Sequence, residues 1–398
     1  MNTLPRMRRC AIVLFEARET LELDVAGLLA GGSAVRARCR WIALAPHLGH
    51  EVEIDEDELA ALGRIGETPW LRAAELAAAA TPELLERLLA KGLLIGDDGA
   101  HAATRARDDA VRALHWKPLS AVAHAFTRWS AADVADDARV PRDRTLAELV
   151  EEFGPPPTHQ PERVLPAARL ALAKSAPSPL DALLRARTTC RNFDPDAQLA
   201  RADFDALLQR ALGCHAASEA LPGVHVLKKA HPSGGGLHAL EAYVLVRAVE
   251  GLVPGLYHYH ASAHALEPLT AVDAPAALAL AARFVAGQDY FASAQAQLVI
   301  VARFDRLFWK YRNHAKAWRV LLLEAGHVSQ DLYLAATELG LAAYVTAAIN
   351  ELDITQALGL DPLAEDAVAV CGFGVRAARR EVVEFDPLAQ VWDGDRRR

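Results

Sequence analysis

The residue types best suited to holding a phosphate occur together in one short segment. Arg187, Thr188, Thr189 and Arg191 place two guanidinium groups and two hydroxyls within five residues. Guanidinium groups bind phosphate oxygens through paired, charge-assisted hydrogen bonds. A solvated basic turn would have the same composition, so the segment is a candidate phosphate site with a surface turn as the alternative.

A glycine-rich segment follows, in which Pro232 and Ser233 precede Gly234, Gly235 and Gly236. Consecutive glycines allow the backbone to approach a flat ligand closely and leave N–H groups free to donate. The spacing matches neither the dinucleotide-binding nor the P-loop glycine pattern. The segment therefore predicts close contact with a flat ligand, and a flexible turn is the alternative.

Lys310 and Tyr311 form a candidate proton-transfer pair. A cation beside a phenol stabilises the phenolate, so the hydroxyl can exchange a proton near neutral pH. Adjacent residues on a regular helix do not share a face, so cooperation requires the helix to end or bend here. With Trp309 and Arg312 on either side, an aromatic and basic surface patch is the alternative.

Two further candidates lie near the end of the chain. Ala347 follows a predicted helix stop, and Arg376 follows the glycines around Phe373. Those glycines allow the arginines from Arg376 to Arg380 to return to a bound phosphate. An exposed run of charge is the alternative.

His258 and His260 lie on one face of a predicted strand and are the strongest metal-ligand candidates in the sequence. Neither a carboxylate nor a third histidine occurs at a useful spacing along the chain. We therefore predict no bound metal. The chain also lacks the Gly-x-Ser-x-Gly pattern of serine hydrolases.

Composition argues against several classes of protein. The 398 residues include 51 acidic and 43 basic side chains, a net charge of −8, whereas duplex-binding proteins carry a basic excess. The basic stretches Arg6–Arg9 and Arg396–Arg398 are short. The N-terminal residues lack the apolar core of a signal peptide, and no apolar run approaches the ~20 residues of a membrane span. Five scattered cysteines are typical of reduced thiols. We expect a cytoplasmic protein that binds neither nucleic acid nor membrane.

Seven prolines between Gly154 and Pro179 indicate a semi-rigid linker. We therefore predict an N-terminal domain at residues 1–150, a proline-rich linker at 151–179 and a C-terminal domain at 180–398.

The N-terminal domain has the outline of a winged helix. Thr68-Pro69 and Thr81-Pro82 predict helix starts, and Leu93–Ile95 predicts a strand that enters a hairpin. A small α+β packing domain and a peptide-binding winged helix, which offers a strand edge to its ligand, are both compatible with this pattern. DNA binding is disfavoured because the second helix carries Glu83 and Glu86.

The C-terminal domain alternates helical and strand-like segments. Residues 202–212 and 315–339 carry apolar side chains at helical spacing, and Gly340 ends the longer segment. Strands are predicted at 241–249, 256–259, 298–302 and 367–371. The fold class is therefore α+β, with helices around a central sheet.

Taken in order, these segments resemble the SagB-type, or McbC-like, flavin dehydrogenases of the nitroreductase superfamily, which act on ribosomally made peptides. Arg187–Phe193 is similar to the Arg-x-Ser-x-Arg-x-Phe flavin-phosphate motif, and Pro232–Glu241 to the SagB-type Pro-Ser-x-Gly loop. The resemblance covers residues 180–380. Its other segments are the Gly-Leu-Tyr-x-Tyr strand at Gly255–Tyr259, the core helix at Glu324–Leu341 and the Lys-Tyr pair at Lys310-Tyr311.

The chain departs from this family at two places. Thr188 stands where arginine is commoner, and His238-Ala239 stand where an aromatic residue and a proline are usual. The second departure is on the expected substrate side. His124 and Thr127 also resemble a His-x-x-Thr segment of SagB-type chains. The whole chain looks like a SagB-related group of peptide-maturation dehydrogenases.

The resemblance implies a nitroreductase α+β sandwich, a homodimer with FMN at the subunit interface, and oxidation of azoline to azole in a precursor peptide. A cyclodehydratase is the implied partner. Tyr311 would transfer the proton, with Lys310 as its electrostatic partner. The implied FMN contacts are Arg187, Thr188, Thr189, Arg191, Pro232, Ser233, Gly234, Gly235, Ala347 and Arg376. An NAD(P)H-dependent FMN reductase of nitro or quinone compounds and a non-catalytic peptide-binding scaffold remain alternatives.

Overall fold

The computed structural model describes residues 4–134 and 146–392, and the Arg396–Arg398 tail lies outside them. Contacts divide the chain into two compact units. The first contains Met1–Arg128, Arg303–Leu321 and Asp361–Asp366, and the second contains Trp129–Ala302, Leu322–Leu360 and Ala367–Arg398. Each unit is assembled from separated stretches of sequence. The predicted division into residues 1–150, 151–179 and 180–398 stays a prediction.

The first unit contains two small antiparallel sheets and five helices before residue 128. One sheet has the order β2-β3-β4, and the other pairs β1 with β5. A 3₁₀ helix at Ala73–Leu76 precedes α3. The elements are β1 (Met7–Arg9), β2 (Leu14–Leu23), α1 (Val25–Leu29), β3 (Val35–Leu44), β4 (Glu51–Ile54), α2 (Glu56–Arg64), α3 (Pro82–Ala90), β5 (Leu94–Gly96), α4 (Ala102–Ala113) and α5 (Pro118–Phe126).

Two local predictions in this unit are wrong. Thr68 does not begin a helix, because Leu71 exchanges backbone hydrogen bonds of 2.8 and 2.9 Å with Met7 and the chain stays extended. Strand β5 does not enter a hairpin; it pairs with β1, and α4 follows. The second helix start is confirmed, since the Thr81 hydroxyl accepts the Leu84 N–H at the start of α3. In both failures a distant segment supplies the hydrogen bonds that a local pattern was expected to supply.

The second unit is built on a six-stranded sheet in the order β10-β9-β8-β11-β13-β12. The elements after residue 128 are, in chain order, α6 (Leu146–Phe153), α7 (Pro179–Ala186), α8 (Arg201–Leu212), β6 (Ala216–Leu221), β7 (Val224–Lys228), β8 (Leu240–Val246), β9 (Gly255–His260), β10 (Ala265–Ala271), α9 (Ala274–Phe284), α10 (Asp289–Ala292), β11 (Ala296–Arg303), α11 (Phe304–Lys310), α12 (Ala317–Glu338), β12 (Ala342–Thr346), α13 (Glu351–Leu358) and β13 (Glu365–Gly374). Of these, α11 and the first residues of α12 belong to the first unit.

The predicted α+β class is confirmed. The four predicted strands correspond to β8, β9, β11 and β13, and the apolar β11 lies inside the sheet between β8 and β13. Helix α12 spans 22 residues, and Gly340 follows it with φ +70°, a left-handed conformation that glycine adopts without strain. Among the residues that the structure describes, no helix combines the length and apolar composition needed to cross a bilayer.

An aromatic cluster joins distant parts of the first unit. The Trp116 ring lies 4.6 Å from Phe304 and 4.7 Å from Phe308, both in α11, measured between ring centroids. It also stacks on His124 of α5 at 5.3 Å. The indole N–H of Trp116 donates to the Leu363 carbonyl at 3.2 Å. The helix that ends at Lys310 is therefore fixed to α5 and to the segment before β13.

His124 is buried within this cluster. Its Nε2 lies 2.9 Å from the Pro362 carbonyl oxygen and 3.3 Å from Asp366, whose carboxylate also pairs with Arg128. Burial, reinforced by the Arg128 charge, lowers the pKa of His124 to about 3. The imidazole is thus neutral in the folded protein at neutral pH.

Acidification should therefore weaken the first unit through His124. An unfolded histidine binds a proton near pH 6.5 while the folded one does not, so stability is fully present above that pH and is lost as pH falls towards 3. Between pH 7 and 5.5 the parent protein should lose about 1.3 kcal/mol of unfolding free energy more than His124→Gln. Urea titrations followed by tryptophan fluorescence measure the difference. Equal losses in the two proteins would show that His124 accepts a proton without unfolding.

Candidate functional site

The predicted phosphate segment begins at the end of α7, in the second unit. Arg187 is the C-cap of that helix, and its N–H donates to the Leu183 carbonyl at 3.0 Å. Three residues later the Cys190 N–H donates to the Ala343 carbonyl at 2.9 Å, which attaches the segment to β12. Cys190 and Phe193 are buried. Apolar side chains therefore fix a segment whose polar side chains remain partly exposed.

Tyr333 of α12 supports this segment. Its hydroxyl is 2.9 Å from Thr189 Oγ1 and accepts the Val345 N–H at 3.1 Å. The Arg187 guanidinium lies over the Tyr333 ring, 5.1 Å from the centroid. Burial raises the pKa of Tyr333, which keeps the phenol protonated. A neutral, hydrogen-bonded ring therefore orients both Thr189 and Arg187.

A buried carboxylate, Glu384, organises the other half of the segment. It accepts the backbone N–H groups of Arg191 at 2.5 Å and Asn192 at 3.0 Å, the Asn192 amide at 2.7 Å and the Trp392 indole at 2.8 Å. It also pairs with Arg376. Burial opposes ionisation, but these hydrogen bonds outweigh it and lower the pKa of Glu384. Glu384 is therefore an ionised carboxylate in the interior.

Arg376 lies beside Thr188, as its guanidinium donates to Thr188 Oγ1 at 3.2 Å. The backbone of Arg376 also forms a bridge with Phe193. Its charge is balanced by Glu384. The structure thus brings Arg376 to the predicted phosphate segment, already paired with a carboxylate.

Arg187 and Arg191 differ from Arg376, whose guanidinium is paired with the Glu384 carboxylate. Among the described residues, neither guanidinium has an ion-pair or hydrogen-bond partner. The aromatic neighbour of Arg191 is Tyr290, 5.9 Å from its guanidinium carbon. Two partly exposed cations without a carboxylate are suited to a bound anion.

The glycine-rich segment forms one turn of 3₁₀ helix, Gly234–Gly236, before β8. Gly235 and Gly236 have φ of +65° and +69°, values that glycine adopts without strain. A Cβ atom on Gly236 would meet open space rather than any described residue. The Ser233 hydroxyl donates to Glu324 Oε2 at 2.7 Å and accepts the His238 N–H at 2.8 Å. The loop is thus fixed at Ser233 and open at its glycines, which fits a flat ligand.

Ala347 follows β12 and is exposed. Gln288 fixes its neighbours, donating to the Ala348 carbonyl at 2.8 Å and to Thr346 Oγ1 at 3.2 Å. In the described part of the chain, no hydrogen bond or ion pair joins Ala347 to the predicted phosphate segment. Its contact with FMN stays a prediction.

Lys310 and Tyr311 belong to the first unit. Helix α11 ends at Lys310, and Tyr311 has non-helical φ and ψ of −105° and 51°. The Lys310 ammonium is therefore 5.5 Å from the centroid of the Tyr311 ring. Two adjacent residues can cooperate only where a helix ends or bends, and α11 ends between Lys310 and Tyr311. Their catalytic roles stay predictions.

His258 is surrounded differently from the sequence-based expectation. Glu267 of β10 lies 2.7 Å from its Nδ1 and Glu241 of β8 lies 3.3 Å from its Nε2. The hydrogen bond with Glu241, together with that of Glu267, raises the pKa of His258 against the effect of burial. Strand pairing therefore brings to His258 two carboxylates that its spacing along the chain does not reveal.

Sequence reasoning missed four polar residues of these clusters. Tyr333 and Glu324 were assigned to a core helix, although an acidic residue on the apolar side of such a helix is a usable signal. His231 had no role of its own among the sequence-based predictions. Glu384 belongs to no motif, and only the fold shows that it reaches Arg191.

Comparison with known proteins gives this geometry a family. The Nitroreductase family model matches residues 184–375. This segment is a nitroreductase-family domain. The predicted nitroreductase fold is therefore confirmed, and the domain contains the predicted phosphate segment, the glycine-rich loop and all six strands of the large sheet.

Two curated relatives of the nitroreductase domain are peptide-processing proteins. The chain is 31% identical over 144 residues to the trifolitoxin-processing protein TfxB of Rhizobium leguminosarum bv. trifolii, covering 36% of this chain and 38% of TfxB. It is 27% identical over 155 residues to the microcin B17-processing protein McbC of Escherichia coli, covering 37% of this chain and 54% of McbC. The predicted resemblance to McbC-like proteins is confirmed, although the chain spans only about half or less of these relatives.

A solved structure also resembles the chain. It is the E. coli microcin synthetase McbBCD complex with truncated pro-MccB17 bound, in which one chain is 20% identical to this one, with a TM-score of 0.48. The similarity covers 67% of this chain and 97% of that chain.

Removing the charge of Glu384 should destabilise the second unit. Glu384→Gln keeps the shape but replaces charge-assisted hydrogen bonds and the Arg376 pair, so about 1.5–3 kcal/mol of unfolding free energy should be lost. Denaturant titrations at pH 7, followed by tryptophan fluorescence, measure the loss. The matched control is Glu381→Gln, an exposed carboxylate that should change stability by less than ~0.5 kcal/mol. Equal effects of the two substitutions would mean that Glu384 has no organising role.

Proposed function

We propose that this protein is an FMN-dependent oxidoreductase that dehydrogenates a ribosomally synthesised peptide, converting an azoline to an azole. The observation that carries the proposal is a pair of guanidinium groups, Arg187 and Arg191, close in sequence to Thr189 in a nitroreductase domain. Neither has a carboxylate partner in the part of the chain that the structure describes. The similarity to two peptide-processing proteins supports the choice of substrate class.

The residues of the second unit fit FMN. Arg187 and Arg191 would hold the phosphate with the Thr189 hydroxyl, and Thr188 and Arg376 would complete the site. Glu384 pairs with Arg376, so the positive charge of Arg376 would be only partly available to the phosphate. Pro232, Ser233, Gly234 and Gly235 would pack on the flavin ring, with Ala347 as a further contact. When bound, FMN supplies the acceptor for a hydride.

The protein's own chemical task is to remove a proton from the azoline carbon. Dehydrogenation takes one hydride and one proton from the ring, and the aromatic azole is the product. Tyr311 Oη, as the phenolate, would receive the proton and become a neutral phenol, and the Lys310 ammonium would stabilise the phenolate before the transfer. The ammonium lies 5.5 Å from the centroid of the Tyr311 ring, which suits this electrostatic role.

The partners follow from the same proposal. A precursor peptide is the substrate, and a cyclodehydratase that forms azolines from cysteine or serine side chains must act before this enzyme. The first unit would recognise the peptide, for which β4 offers an edge strand of the β2-β3-β4 sheet. We further propose a homodimer and a cytoplasmic site of action.

Arg191→Ala should release FMN more readily than the parent protein. Hydrogen bonds to charged groups are worth roughly 1.5–3 kcal/mol, or about ten- to a hundredfold in affinity. The flavin content after prolonged dialysis, measured by absorbance and by identification of the released chromophore, tests this. Arg201→Ala is the matched control, because Arg201 pairs with Asp205 on an exposed helix surface. Equal flavin content in all three proteins would contradict the phosphate assignment. A colourless parent protein would favour the peptide-binding scaffold instead.

Tyr311→Phe should retain FMN and peptide affinity but lower kcat by ~10²–10⁴-fold, the usual contribution of general acid–base catalysis. Lys310→Ala should lower kcat by a similar or smaller factor. The assay incubates FMN-loaded protein with an azoline-containing peptide and follows the loss of two hydrogens by mass spectrometry.

Tyr257→Phe is the control for loss of a tyrosine hydroxyl, since that hydroxyl donates to the Val253 carbonyl. A parental rate in Tyr311→Phe would remove the proton-transfer assignment. Rapid NAD(P)H-dependent turnover of quinones, without peptide oxidation, would replace the proposal with a simple flavin reductase.

A further inference from the structure

Two histidines flank the glycine-rich loop and meet a glutamate from the long helix. His231 precedes the loop, His238 follows it, and Glu324 lies in α12. One ligand atom from each residue lies within 4.8 Å of the other two. The three residues are 5%, 8% and 1% exposed. Side chains of this type are rarely so buried unless they are paired or coordinate a metal ion.

We propose that His231, His238 and Glu324 bind a divalent transition-metal ion, with Zn²⁺ as the expected occupant. Two imidazoles and one carboxylate form a ligand set that zinc accepts, with a further coordination position left for water or substrate. Tetrahedral zinc ligands lie about 3.3 Å apart, given bonds of about 2.0–2.1 Å. The three donors, which lie within 4.8 Å of one another, would need to approach to that spacing when the ion binds. The proposal concerns neither FMN nor the dehydrogenation.

Glu324 provides the first supporting observation. Its Oε2 accepts the Ser233 hydroxyl at 2.7 Å, whereas its Oε1 has no hydrogen-bond partner among the described residues. A buried carboxylate oxygen without a partner costs free energy, and a metal ion would remove that cost. The Oε1 atom of Glu324 is therefore a candidate metal ligand.

His231 provides the second observation. Its Nδ1 lies 3.5 Å from Asp331 Oδ2, and neither atom has a hydrogen-bond partner within the part of the chain that the structure describes. Histidines that bind metals usually direct their second ring nitrogen at a carboxylate in this way, which fixes the ring and leaves Nε2 as the ligand. Asp331 lies seven residues after Glu324 in α12, so both carboxylates occupy the same side of that helix.

His238 is held by its backbone. Its φ of +45° lies in the left-handed region, which is strained for a residue other than glycine. The His238 N–H donates to the same Ser233 hydroxyl that bonds to Glu324, and its ring centroid lies 5.5 Å from that of His231. One serine therefore orients two of the three proposed ligands. Such local strain is typical of functional sites.

The charges around the cluster allow a divalent cation. Lys229 is buried and its positive charge acts on Glu324, which opposes metal binding. Glu324 and Asp331 together contribute two negative charges and outweigh this single lysine. Metal binding would fasten both ends of the glycine-rich loop to α12, because the two histidines stand on either side of the loop.

The test uses the full chain stripped by chelator and then titrated with Co²⁺, which replaces Zn²⁺ and gives a visible spectrum. We expect one equivalent of Co²⁺ per chain, competed by Zn²⁺, together with a metal-dependent rise in melting temperature. His231→Ala, His238→Ala and Glu324→Gln should each weaken binding by more than tenfold. Asp331→Asn should weaken it ten- to a hundredfold while preserving the spectrum. His238→Tyr provides a bulkier replacement in case the alanine variant does not fold.

His258→Ala is the matched control. His258 also has two carboxylate neighbours, but its side chain on β9 is partly exposed. It should bind Co²⁺ as the parent does. Flavin content is measured in parallel, so that loss of FMN is distinguished from loss of metal. Failure of the parent to bind Co²⁺ or Zn²⁺ at micromolar concentrations would overturn the proposal. So would unchanged binding in His231→Ala or His238→Tyr, or loss of binding in His258→Ala, which would place an adventitious ion elsewhere.

Discussion

The arrangement of the predicted phosphate segment depends on one buried carboxylate. Glu384 accepts the N–H groups of Arg191 and Asn192 and balances the charge of Arg376. An ionised group in the interior is stable only when its lone pairs are satisfied in this way. Glu384 balances the charge of Arg376, whereas Arg187 and Arg191 have no carboxylate partner among the described residues. The anion-binding role proposed for the segment therefore depends on a residue that need not touch the anion.

Helix α12 provides the frame on which the two candidate ligand-binding segments of the second unit are spaced. Glu324 fixes the glycine-rich loop through Ser233, and Tyr333 fixes the phosphate segment through Thr189. The two helix residues are nine positions apart, or about 13.5 Å at 1.5 Å per residue. A ligand that contacted both segments would span a comparable distance, which is compatible with the flavin nucleotide proposed above and exceeds the size of a small anion.

Sequence patterns predicted what local interactions determine. Helical periodicity located α8 and α12, the unbroken apolar run located β11, and Thr81 correctly indicated the start of α3. The failures occurred where a distant segment competes for the same backbone groups, as when Leu71 pairs with Met7. The carboxylates beside His258 were likewise invisible along the chain, because strand register rather than sequence spacing brings Glu241 and Glu267 to it. Glu384 could not be found at all without the fold, since no motif connects it to residues nearly two hundred positions earlier.

The composition of the first unit limits how its role can be studied. Trp116 and His124, from the N-terminal stretch, pack against Phe304, Phe308 and Trp318, which lie on either side of Lys310 and Tyr311. Deleting the N-terminal residues would expose these aromatic side chains and disturb the end of α11, whatever the deleted residues bind. Loss of activity after such a deletion would therefore not separate peptide recognition from catalysis. Substitutions on the surface of the β2-β3-β4 sheet leave the aromatic cluster intact, and only they can assign peptide recognition to this unit.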